Sequence, residues 1–222
     1  MRFRGVLATL MTLALATPAF AQTSGQAATA YAVYLVGGIN VSTMTTPVPE
    51  ISIPELSFST ESRIGFIGGV LVDLPVNNTI AFETGGLISI KGLTTTATIL
   101  DLGTAEVDIR MVYLDVPAHV RVGVAKSNAL TGFLIAGPTL GFRLSADARA
   151  TALSISQTES IKDGVEAFDV GLTIGGRVEY KRISGDVRYT WGLINTATGP
   201  DGIEPAESVK HRVLSFMAGW RF

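Results

Sequence analysis

Charged side chains are sparse in this sequence and recur at alternate positions within apolar stretches. Lys and Arg number 17, Asp and Glu 19, and 16% of residues are charged, against about 25% in a typical soluble domain. Acids and bases are mixed, and buried charges are tolerated when they pair and hydrogen-bond. We therefore predict an internal charge network formed by Arg63, Asp73, Glu83, Lys91, Asp115, Arg121, Arg143, Asp169, Arg177, Glu179, Asp186, Arg188 and Arg221.

Residue patterns that would indicate catalysis or metal binding are missing. The chain has no Cys, which excludes disulfides, thiolate catalysis and Cys-ligated zinc. Of its two histidines, His119 is expected near one end of the predicted fold and His211 near the other, so we expect no shared metal site. No phosphate loop, nucleophile elbow or H-E-x-x-H motif occurs, although Ser and Asp are plentiful and a Ser–His–Asp arrangement stays open. We predict no enzyme activity, no cofactor and no metal. The net charge of −2 shows no excess of basic residues that could bind the phosphates of nucleic acid.

The first 21 residues have the layout of a secretory signal peptide. Arg2 and Arg4 precede an apolar run over residues 6–16, and Ala19-Phe20-Ala21 forms an A-x-A cleavage site. The apolar run is about half the ~20 residues that a membrane anchor needs. We therefore predict a signal peptide over residues 1–21 and one mature domain over residues 22–222, which works beyond the inner membrane.

Apolar residues alternate with small or charged residues along the mature chain. Between Phe168 and Tyr180 the even positions are mostly apolar and the odd positions are small, polar or charged, which is typical of a β-strand and would be scattered around a helix. The pattern recurs to give eight predicted strands. In the fourth, Asp108 and Asp115 fall on opposite faces. Either a β-bulge between residues 110 and 113 or an upper part lying beyond the lipid would explain this change of phase.

The predicted connections alternate between long and short. Long stretches cover about residues 43–60, 92–105, 146–167 and 195–210, and short turns about residues 74–78, 125–129 and 181–182. An even strand count with short turns at one end predicts an all-β, eight-stranded antiparallel up-and-down transmembrane barrel of the outer-membrane type. A lipocalin-like barrel or β-sandwich, with its apolar face inside, is the soluble alternative. Aromatic residues near strand ends favour the membrane barrel: Tyr34, Tyr180, Tyr189, Trp191, Trp220 and Phe222.

The predicted polar face also carries pairs of glycines. The spacings Gly65/Gly69, Gly137/Gly141 and Gly171/Gly175 lie beside charges, so we expect them to make room for long charged side chains. The interior of an eight-stranded barrel is only wide enough to be filled by side chains. The charge network is therefore predicted to plug the lumen. The functional alternative is that the charges line a narrow conduit or form a proton-linked site.

Several segments resemble the PorT-like outer-membrane β-barrel domain of Bacteroidota-type bacteria. They are residues 113–117 (Tyr-Leu-Asp-Val-Pro), 133–141, 176–180, 186–189 and 211–222. Asp115 stands where that family usually has Glu. The resemblance implies an integral outer-membrane barrel, and Trp220 and Phe222 resemble the C-terminal signal that the barrel-assembly machinery reads. Secretion or gliding, the role of a few members, is not carried over.

The leading hypothesis is a non-enzymatic outer-membrane barrel with a filled, charged lumen and long external loops for interaction or envelope support. The alternatives are a narrow small-solute or ion channel, an accessory component of a secretion system, and, least favoured, an outer-membrane enzyme using His211 or loop carboxylates. The expected partners are outer-membrane lipid, the barrel-assembly machinery and an extracellular or envelope protein, but no nucleic acid. The Pro-spaced segment 47–54 is a candidate partner surface.

Overall fold

The computed structural model describes residues 31–45, 56–99, 103–127, 129–152, 155–161, 166–195 and 209–222. The predicted signal peptide and the Pro-spaced segment 47–54 lie outside these residues. In the described part of the chain, no helix has the length and apolarity to cross a membrane.

In the described residues, eight antiparallel strands close into a ring, and a ninth, short strand lies outside it. The ring order is β4-β3-β2-β1-β9-β8-β7-β5, and β5 pairs back onto β4. The predicted eight-stranded barrel is thereby confirmed, whereas the short strand β6, which pairs with β5 alone, was not predicted. The strands are β1 (Ala32–Thr45), β2 (Leu56–Pro75), β3 (Ile80–Ile99), β4 (Gly103–Lys126), β5 (Leu130–Ala152), β6 (Ile155–Ser160), β7 (Phe168–Tyr180), β8 (Ile183–Gly192) and β9 (Lys210–Arg221).

The apolar face of the barrel points outward. Phe66 is 68% exposed and Phe216 43%, while Asp73, Glu83 and Arg177 are buried. A soluble barrel or sandwich would place these two sets the other way round. The outer face is therefore suited to contact hydrocarbon, and the charged side chains are enclosed by the ring.

The two ends of the barrel differ. The short turns after β2, β4 and β7 lie at one end, together with residues 31 and 222. In outer-membrane barrels the short turns face the periplasm, so this is the periplasmic end. Trp220 and Phe222 are exposed there. Tyr34 was expected beside them but is buried in the lumen, since its neighbours Val33 and Leu35 take the outward positions of β1.

Strands β2 to β5 continue beyond the ring at the outer end, where β6 pairs with the extension of β5. The pairing of β5 with β7 stops at Phe142 and Phe168, but its pairing with β4 continues to Ala105 and Ala152. Residues 56–62, 93–99, 103–110, 145–152 and 155–160 form this projecting sheet. The prediction of long loops over residues 92–105 and 146–167 is therefore wrong, since both stretches are largely strand. Threonine-rich runs such as residues 94–96 have low hydropathy but high β-propensity.

The projecting sheet also explains why Asp108 and Asp115 fall on opposite faces of β4. β4 pairs with β3 in one constant register, so it carries no bulge against that neighbour. The irregularity expected between residues 110 and 113 lies opposite β5, where the register shifts between Val112 and Tyr113 and Leu144 of β5 is the extra residue. Asp108 and Arg110 belong to the projecting sheet. The upper part of β4 thus lies beyond the ring, the second of the two explanations.

Candidate functional site

The periplasmic half of the lumen is filled by seven charged side chains, which we call the ion-pair plug. Arg177 lies at its centre with a fully buried side chain. Its Nη2 donates to Glu83 Oε2 (2.6 Å), its Nε to Asp186 Oδ1 (2.9 Å) and its Nη1 to Asp73 Oδ2 (3.4 Å). One guanidinium therefore joins β2, β3, β7 and β8 across the barrel. The plug comprises Asp73, Glu83, Arg121, Arg177, Glu179, Asp186 and Arg188.

Two further arginines complete the plug. Arg188 donates to Glu83 Oε1 through Nη1 and to Asp186 Oδ1 through Nη2, both at 2.6 Å. Arg121 Nη1 lies 2.6 Å from Glu179 Oε1 and 3.0 Å from Asp73 Oδ2. The planar guanidinium fork suits such multiple contacts with carboxylates.

Two aromatic rings support the arginines of the plug. The Tyr34 hydroxyl donates to Glu179 Oε1 (2.9 Å), and Arg177 Cζ lies 4.7 Å from the centre of its ring. Arg121 Cζ lies 4.0 Å from the ring centre of Phe133. Cation–π contacts strengthen when they are removed from water. Neither aromatic was predicted as part of the charge network.

A chain of hydrogen-bonded side chains leads from the plug around the wall of the barrel. Glu83 Oε1 lies 3.3 Å from His119 Nδ1, and His119 Nε2 lies 2.9 Å from Thr139 Oγ1. The hydroxyls of Thr139, Thr173 and Thr190 then follow at 2.8 Å spacings. The chain runs across β4, β5, β7 and β8 rather than along the barrel axis. It ties strands together and makes no path through the lumen.

A second cluster lies nearer the outer end and has fewer contacts. Lys91 Nζ donates to Asp115 Oδ1 (2.9 Å) and lies 4.7 Å from the ring centre of Tyr113. That ring packs edge-on against His211 at 5.7 Å. Within the described part of the chain, both His211 nitrogens are buried and have no hydrogen-bond partner. We call this the outer luminal cluster: Lys91, Tyr113, Asp115, Arg143, Asp169 and His211.

Two predicted network residues lie outside both clusters. Arg63 pairs with Asp108 of β4, whose carboxylate also accepts a hydrogen bond from Thr94, at the base of the projecting sheet. Arg221 is about half exposed at the periplasmic end, with its Nη1 3.8 Å from Glu179 Oε2. The expected single network is thus two clusters with two peripheral arginines. Asp108 was not predicted as a partner because it lies on the opposite face from Asp115.

Some of the glycines do make room for charged side chains. A Cβ on Gly141 would lie 3.0 Å from Asp115 Oδ1. One on Gly175 would lie 2.9 Å from Arg188 Cγ and 2.5 Å from Val187 O, so this glycine also permits a close approach of β7 to β8. Gly137 serves another purpose. Its φ is 155° and an added Cβ would lie 2.4 Å from Ala118 O, so it permits a close approach between β5 and β4.

Little free space separates the two clusters. The cavity between them has a volume of about 30 Å³ and is lined by residues such as Ser89, Thr139 and Ser215. A water needs roughly 10–15 Å³ of such volume, so about two waters fit. Buried apolar side chains of β1, β2, β3 and β9 fill the facing wall: Val36, Ile67, Leu71, Leu87 and Met217. Among the described residues, no three His, Asp or Glu side chains are grouped so as to hold a metal ion.

Comparison with known proteins agrees with this architecture. Residues 20–198 match the family described as outer membrane protein beta-barrel domain. The chain belongs to this family. The predicted outer-membrane location is confirmed by this membership, whereas the narrower PorT-like assignment is not shown. No curated protein matches the sequence.

Solved structures of small outer-membrane proteins are similar at low sequence identity. Ail of Yersinia pestis is 12% identical with a TM-score of 0.40, over 86% of this chain and 98% of that one. Neisserial surface protein A is 11% identical with a TM-score of 0.43, over 86% and 97%. OprG of Pseudomonas aeruginosa is 11% identical with a TM-score of 0.41, over 86% and 95%.

Proposed function

We propose that this protein is a closed, non-enzymatic outer-membrane barrel that acts through the parts extending beyond the lipid. The observation that carries this proposal is the position of Arg177. Its side chain is fully buried and joins acids from three other strands across the lumen. A solute would have to break these contacts in order to pass, so the plug is a stabilising element rather than a conduit.

The projecting sheet supports an interaction role. Among the described residues, β2 to β5 extend past the ring, and β6 forms one edge of this sheet with exposed polar side chains at Ser156, Gln157, Thr158 and Glu159. The open edge of a sheet offers unpaired backbone groups to a partner strand. We infer that the partner is an extracellular or envelope protein. Outer-membrane lipid covers the apolar band, and the sequence gives no reason to expect nucleic acid.

We further propose that the chain is PorT-like and is read by the barrel-assembly machinery. In the segment 113–117, Tyr113, Asp115 and Pro117 all face the lumen, which fits a motif selected for internal packing. Trp220 and Phe222 lie on the outer face where β9 closes the ring against β1, and the Phe222 N–H donates to Val33 O at 3.0 Å. A secretion-accessory role rests on the resemblance alone.

Planar-bilayer recording tests the closed barrel most simply. The refolded full chain is inserted into a bilayer, with a general porin as the positive control and heat-modifiable gel mobility as the check on folding. We expect no discrete conductance steps at applied voltages where the porin opens. Reproducible unitary steps from the folded protein would overturn the proposal and favour the narrow channel.

The surface role has its own test. Thr94 and Asp108 are a cross-strand pair, so replacing residues 95–107 by Asn-Gly shortens the β3–β4 hairpin with a two-residue turn. We expect this variant to assemble normally but to fail in complementing the surface phenotype of a deletion strain. Full complementation would contradict a role for the projecting sheet, and a changed lipid profile in the deletion strain would favour an enzyme.

A further inference from the structure

The periplasmic end of the lumen opens into a cavity with an unusual charge distribution. We call it the periplasmic vestibule; its volume is about 560 Å³, and the turn over residues 76–79 and the adjoining ends of β4 and β5 form its walls. Its described lining residues include three cationic side chains, Arg121, Lys126 and Arg221, and no Asp or Glu. A concave surface of one charge sign concentrates ions of the opposite sign.

The acids nearest to the vestibule lie behind its floor. Asp73 and Glu179 are 0% and 8% exposed, and both are paired with Arg121. Arg121 is itself 9% exposed, and its Nε has no hydrogen-bond partner among the described residues. Its contacts with these carboxylates and with the ring of Phe133 hold the guanidinium in one orientation. A cation held in this way is pre-organised for a ligand.

Neutral donors complete the wall. The side-chain oxygen of Asn77 accepts hydrogen bonds from the N–H groups of Thr79 and Ile80, both at 2.8 Å. This leaves the Asn77 amide nitrogen as the donor that can face a ligand. Asn78 and Thr131 also line the cavity. The vestibule therefore combines cations with neutral donors, which is the composition of an oxyanion site.

We propose that the periplasmic vestibule binds an oxyanion, either a carboxylate or a phosphate, on a ligand that arrives from the periplasm along the barrel axis. Arg121 and Phe133 belong to strands β4 and β5 and meet inside the ring, so the floor of the site faces the axis rather than the surrounding lipid. Guanidinium and ammonium groups recognise both oxyanions through charge-assisted hydrogen bonds. This binding site is independent of the projecting sheet at the other end.

Calorimetric titration of the folded full chain in a zwitterionic detergent tests the site, with citrate and inorganic phosphate as probes. The test variant is K126Q/R221Q, which removes two vestibule cations. The matched control is K181Q/R182Q, which removes two exposed cations from the same end that do not line the cavity. We expect at least one probe to bind, with affinity at least tenfold lower in the test variant and within twofold of wild type in the control.

Two results of the detergent titration would overturn the proposal, and a third result, in nanodiscs, would overturn the periplasmic source of the ligand. One is that neither probe binds to the wild type; the other is equal weakening in both variants, which would indicate general surface charge. Repeating the titration in nanodiscs identifies the source of the oxyanion. If phosphatidylglycerol nanodiscs abolish probe binding and phosphatidylcholine nanodiscs do not, a lipid phosphate occupies the periplasmic vestibule. This result would exclude a ligand that arrives from the periplasm. Heat-modifiable gel mobility shows that every variant is folded.

Discussion

The ion-pair plug and the outer luminal cluster lie in the same lumen, but their charged side chains differ in how many ion-pair and hydrogen-bond partners they have. In the plug, Arg177 contacts three acids and Glu83 contacts two arginines and a histidine. In the outer cluster, Lys91 has one acid partner. In the described part of the chain, five buried polar atoms of Arg143, Asp169 and His211 have no hydrogen-bond partner, against two in the plug, Asp73 Oδ1 and Arg121 Nε. The ion pairs of the lumen are therefore concentrated in its periplasmic half.

The largest effect is expected from Arg177→Met. This change leaves the carboxylates of Asp73, Glu83 and Asp186 with fewer cations in a buried site. Breaking a buried ion pair costs about 3–5 kcal/mol, and we expect a loss of that size in the free energy of unfolding. Urea unfolding in micelles, followed by tryptophan fluorescence, measures it. The control Arg143→Met removes an arginine from the outer cluster and should cost clearly less; equal losses would remove the distinction between the clusters.

A smaller effect is expected from Lys91→Met. Asp115 then loses the one cation within ion-pair distance in the described residues, and leaving a charged hydrogen-bond partner unsatisfied costs about 2–3 kcal/mol. Adding Asp115→Leu to the same chain should recover much of the stability, because neither charge then remains buried. A double variant that is less stable than Lys91→Met would show that the pair is not an isolated unit.

The alternation of odd and even positions along each strand was enough to predict which side chains face inward. It did not predict which of these side chains contact one another. Arg177 and Glu83 are 94 residues apart, and their contact depends on the stagger of strands around the ring, which one sequence does not specify. The ends of the strands were also missed, since polar threonines in β3 look like loop. Tyr34 was placed outside because its aromatic type was given more weight than its even position between Val33 and Leu35.

A loss of about 1 kcal/mol is expected from Tyr34→Phe. The substitution removes the hydrogen bond to Glu179, and a typical net hydrogen bond contributes about 0.5–1.5 kcal/mol. The phenyl ring keeps its position against Arg177, so the cation–π contact stays. In the same urea unfolding, the free energy of unfolding of Tyr34→Phe should fall modestly. That of Tyr34→Leu, which removes both contacts, should fall further. An unchanged stability for both variants would place Tyr34 outside the plug.

The smallest effect is expected from His211→Phe. The imidazole is 2% exposed and packs edge-on against Tyr113, without hydrogen-bond partners in the described residues. A phenyl ring keeps that packing and removes two buried polar atoms, so the stability should stay within about 0.5 kcal/mol or rise. A loss above about 2 kcal/mol would show that the imidazole is hydrogen-bonded and that the outer cluster is as satisfied as the plug.

The orientation of the side chains, charged and small polar ones toward a closed lumen and apolar ones toward lipid, can be measured directly. The chain has no cysteine, so single spin labels can be placed at neighbouring positions of β9, Ser215 (5% exposed) and Phe216 (43% exposed). In folded protein in lipid vesicles, the label at 216 should collide freely with oxygen and little with a water-soluble nickel complex, while the label at 215 should collide little with either. High oxygen accessibility at 215 together with low accessibility at 216 would contradict the account.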